Sequence, residues 1–126
     1  MSPVTGTIQF ATGSTWQPSV SSARRAAERA MHAAAVAVSW AERSGAGQAE
    51  AAEALRAGEC ARFAADRAEQ ATSHDEMLGH VRAAEVAARA ALEADRKVSA
   101  VIDASLWADA DRRLAPRSPA RFESAA

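Results

Sequence analysis

Two pairs of residues in this chain have a spacing that metal chemistry can use. Glu28 and His32 stand four residues apart, and so do Glu76 and His80. On a helix such pairs share one face, where a carboxylate and an imidazole can hold one cation. Di-iron carboxylate bundles, however, place Glu and His three residues apart and turn further glutamates toward the core. Neither pair follows that pattern. Glu28 and His32 fall in a polar stripe that faces water, and Glu76 stands where it would cap a helix. No metal ligand and no cofactor-binding residue is assigned.

Nucleophilic chemistry finds no better support. Cys60 is the single cysteine. His74, Asp75 and His80 cluster farther along, but no motif joins them to Cys60 as nucleophile and base. A free cysteine packs like a small hydrophobe, so Cys60 is expected to be buried. One cysteine also excludes an internal disulfide and a cysteine-based zinc site. There is no Gly-rich phosphate loop and no Ser-centred nucleophile elbow. No catalytic residue is assigned, and the chain is expected not to be an enzyme.

What the sequence does specify is the scaffold. More than a quarter of the 126 residues are alanine, concentrated between Ala23 and Ala115. Alanine has the highest helix propensity and loses no side-chain entropy on folding. Leu, Ile, Val and Phe together make up only about a seventh of the chain. The expected fold is all-α, an antiparallel three-helix bundle with a thin core. Too few large side chains remain to fill such a core in a monomer, which points to a homo-oligomer or a protein partner.

The first helix is expected over Val20–Ser44. Ser19 or Ser22 can cap its start, and Gly45 supplies a left-handed end. Its alanines line one side, opposite Arg24, Arg25, Glu28, Arg29 and His32. A Gly45-Ala46-Gly47 turn leads to a second helix over Gln48–Thr72, which places Ala64 and Ala68 at the contact with the first. Leu55 and Phe63 lie on another side of it. The third helix opens with Ser73-His74-Asp75-Glu76, a capping box in which Glu76 returns to the Ser73 amide. Its apolar stripe runs from Met77 and Val81 to Val98, Ile102 and Leu106 at coiled-coil spacing. Asp95 interrupts the stripe. It either pairs with an arginine of a neighbouring helix or sits at the solvent edge. The helix either continues to about Leu114, overhanging the others by roughly 20 Å, or breaks near Val101–Ser105 into a short fourth helix.

The ends differ from the middle. Residues 1–18 read as an extended, strand-like arm with Val4, Ile8 and Phe10 on one side. Residues 19–114 form the bundle, and residues 115–126, with Pro116, Pro119 and Phe122, form a tail. Candidate contact residues are Ile8, Phe10, Trp16, Val98, Ile102, Leu106, Trp107 and Phe122, the apolar or aromatic side chains at segment ends.

Net charge is −1, so no nucleic-acid footprint is expected. The charge is unevenly placed. Residues 19–44 carry about +2, while residues 45–72 and 73–114 carry about −2 each. No window is long and apolar enough for a membrane span, and no basic stretch followed by an apolar run opens the chain. Lys97 is the single lysine among many arginines, a bias of GC-rich bacterial genomes. The expectation is a bacterial cytoplasmic interaction or assembly protein, such as an adaptor, scaffold or inhibitor. A ligand- or metal-binding bundle and an accessory subunit of an enzyme are the alternatives.

Overall fold

The structure, a computed structural model, describes residues 18–114. The arm residues Ile8, Phe10 and Trp16 and the tail residue Phe122 lie outside the described residues. Among the described residues three helices follow one another: α1 (Val20–Ser44), α2 (Gln48–Gln70) and α3 (His74–Leu114). Each packs on the other two, giving the all-α three-helix bundle the sequence predicts. α3 is one helix of 41 residues with no break near Val101–Ser105, so among the described residues there is no fourth helix.

Local chemistry sets the helix ends. Ser19 is extended and accepts a hydrogen bond from the Ser22 amide at 3.1 Å, while the Ser19 amide donates to the Ser22 hydroxyl at 2.8 Å. Two serines thus build a complete capping box. Ser22 is buried, and this pairing satisfies it. At the other end Gly45 turns left-handed, with φ 75°, and its amide donates to the Ala41 carbonyl at 2.8 Å. α2 stops two residues before the expected Thr72, because Ala71 is extended.

The core is built from methyl groups. Among the described residues every buried hydrophobic side chain is alanine except Val81 and Val98. This changes how closely the helices approach. A Cβ placed on Gly58 of α2 would lie 3.3 Å from the Ala30 carbonyl oxygen and 3.4 Å from the Ala34 Cβ of α1. Backbone therefore nearly meets backbone there, and the absence of a side chain is what permits it. Gly47 has the same role at the turn: with φ 83° it leaves space that Val98 fills, and a Cβ there would sit 3.3 Å from the Val98 Cγ1.

Charge ties the helices together at the rim. Arg24 of α1 reaches Asp66 at 3.0 Å and also Glu69, both on α2. Arg29 of α1 meets Glu85 of α3 at 3.5 Å, and Lys97 of α3 meets Glu53 of α2 at 3.6 Å. The basic first segment and the two acidic ones are thus joined across the bundle. These are exposed pairs, each worth at most about 1 kcal/mol. Their contribution is to helix order and register rather than to stability.

Two glycines separate backbone entropy from packing. Gly79 lies inside α3 with nothing within 4 Å of an added Cβ, so Gly79→Ala should stabilise the protein by about 0.5–1 kcal/mol. Gly58→Val should instead destabilise it by about 1–3 kcal/mol through overpacking against α1. Thermal unfolding followed by circular dichroism reads both. A neutral Gly58→Val would mean the α1–α2 contact is looser than described.

Candidate functional site

The α2–α3 turn gathers much of the chain's titratable chemistry. Ser73 caps α3 as expected, accepting from the Glu76 amide at 3.1 Å. Glu76, however, does not return to the Ser73 amide. Its carboxylate accepts from the Thr72 amide at 3.2 Å and from the Thr72 hydroxyl at 3.1 Å. The glutamate spans one residue farther than in the expected box, and Thr72 supplies two donors instead of one. These bonds, the backbone one first, hold the Glu76 carboxyl below its ordinary value. His80 stands 3.9 Å from the same carboxylate.

This corner is not arranged as a metal centre. Among the described residues no three His, Cys, Asp or Glu side chains converge on one point. Glu28 and His32 are both exposed on α1. Asp95 is half-buried and makes no ion pair among the described residues, so it sits at the solvent edge of its stripe while Ala94 and Val98 take the buried positions. Cys60 is exposed, contrary to the sequence expectation. It lies on the side of α2 that carries Arg56, Glu59 and Phe63 rather than on the alanine seam. With Ala64, His80 and Ala83 these residues line an open, mainly apolar cleft of about 490 Å³. The Arg67 guanidinium covers the exposed Phe63 ring at 5.6 Å.

The other end of α3 is the more distinctive surface. Gly47 packs on Val98, so the α1–α2 turn ends level with that residue. From there α3 continues to Leu114, about 24 Å at about 1.5 Å per residue. Ile102 still packs against the upper core, beside Val38. Beyond it, Leu106 is 63% exposed, Trp107 71% and Leu114 80%. Isolated exposed apolar residues are ordinary, but three large ones on a helix with no neighbour among the described residues form a patch.

The candidate contact residues of α3 therefore separate. Val98, expected at an intermolecular contact, is only 1% exposed and belongs to the bundle's own core. The reason is Gly47: a turn without a side chain opens a pocket that a valine closes. Ile102 is half-buried at the edge, and Leu106 and Trp107 are free at the surface. Leu114 was not among the candidates, although its spacing from Ile102 and Leu106 places it in the same row. Trp40 of α1 is half-exposed under the Arg43 guanidinium at 5.4 Å.

Comparison with protein-family models, with curated proteins and with solved structures gives no match to this chain. No described helix is long and apolar enough to cross a membrane.

Glu76 gives the corner a measurable pH signature. Because folding lowers its pKa, the carboxylate's contribution is present above the ordinary value of 4.5 and is lost as pH falls through the lower folded-state value. Glu76→Gln retains an acceptor for Thr72 but removes the titration. The variant should therefore lose less thermal stability than the parent between pH 5 and pH 3 (roughly the carboxylate range). Parallel melting curves for the two proteins would contradict this assignment.

Proposed function

We propose that this chain is a non-enzymatic interaction or assembly protein that docks a protein surface through the projecting end of α3. The observation that carries the reading is the exposure of Leu106, Trp107 and Leu114 on a helix extending about 24 Å past its own bundle. Past Ile102 the other described helices offer α3 nothing to pack on, since α1 and α2 stop at the Gly45–Gly47 turn. Tryptophan and leucine are the side chains that anchor helix-in-groove and helix-to-helix contacts. The arginine-rich composition with one lysine, together with the lone Cys60, fits a bacterial cytoplasmic setting.

Substitution separates docking from folding. Leu106→Asp lies outside the core, so it should change unfolding free energy by no more than about 0.5 kcal/mol. The same change at Val98 would bury an unpaired carboxylate and should prevent folding. If the reading holds, Leu106→Asp combined with Trp107→Ala abolishes the chain's stable associations while leaving its helical circular dichroism intact. Associations that survive the double substitution, measured by sedimentation and by co-purification from the native cells, would overturn it.

A further inference from the structure

We draw no further inference here: the strongest candidate, the open cleft between α2 and α3 lined by Cys60, Phe63 and His80, rests on a lone cysteine, and nothing else among the described residues points to what it would take.

Discussion

Between α1 and α2 there is no room at Gly58 for even a methyl group without displacing a neighbour: it would meet the Met31 Sδ at 3.0 Å and the Ala30 carbonyl oxygen at 3.3 Å. The rest of the molecule follows from this proximity. Helices held so close need small side chains along the whole seam, and the buried positions are alanine almost throughout. Alanine contributes little apolar area per residue, so the core gains by close contact of many backbone and methyl atoms rather than by burying large side chains. It also loses no rotamer freedom, which lowers the entropic cost of ordering three long helices.

A seam of identical methyl groups is poor at specifying register, because a slip along the helix replaces alanine with alanine. The specification lies elsewhere. Gly47 receives Val98 at one end of the bundle, and the Ser19–Ser22 capping box fixes the start of α1 at the other. Between them, ion pairs link each helix to both others: Arg24 with Asp66 and Glu69, Arg29 with Glu85, and Lys97 with Glu53. None of these pairs is strong. Together they give the native order of helices contacts that a slipped or reversed arrangement would lose, the form of consistency that leaves one structure favoured.

Much of this was legible from residue types alone. Alanine content and spacing indicated three helices, and Ser19 and Gly45 marked the ends of α1. Three features were not legible, each for a physical reason. Periodicity identifies a face but not its neighbour, so Val98 looked like a contact for another chain until Gly47 was seen to make room for it. Cys60 was expected in the core on its average behaviour, yet its helical position sets it beside Arg56 and Phe63, away from the alanine seam. Glu76 could reach either the Ser73 or the Thr72 amide, and the extended backbone at Ala71 decided for Thr72. On the projecting surface, the sequence singled out Leu106 and Trp107, which are exposed, whereas the exposed Leu114 joins them only when α3 is seen to be unbroken.

α3 has two differently supported halves, one held by the alanine core and one on which no other described helix packs. Amide hydrogen exchange followed residue by residue at several protein concentrations tests this directly, because protection reports the free energy of local opening. Amides from Val81 to Val98 should exchange slowly and independently of concentration. Those from about Asp103 to Ala110 should exchange fast in dilute solution. Uniformly slow exchange from Val81 to Ala110 would contradict this division of the helix.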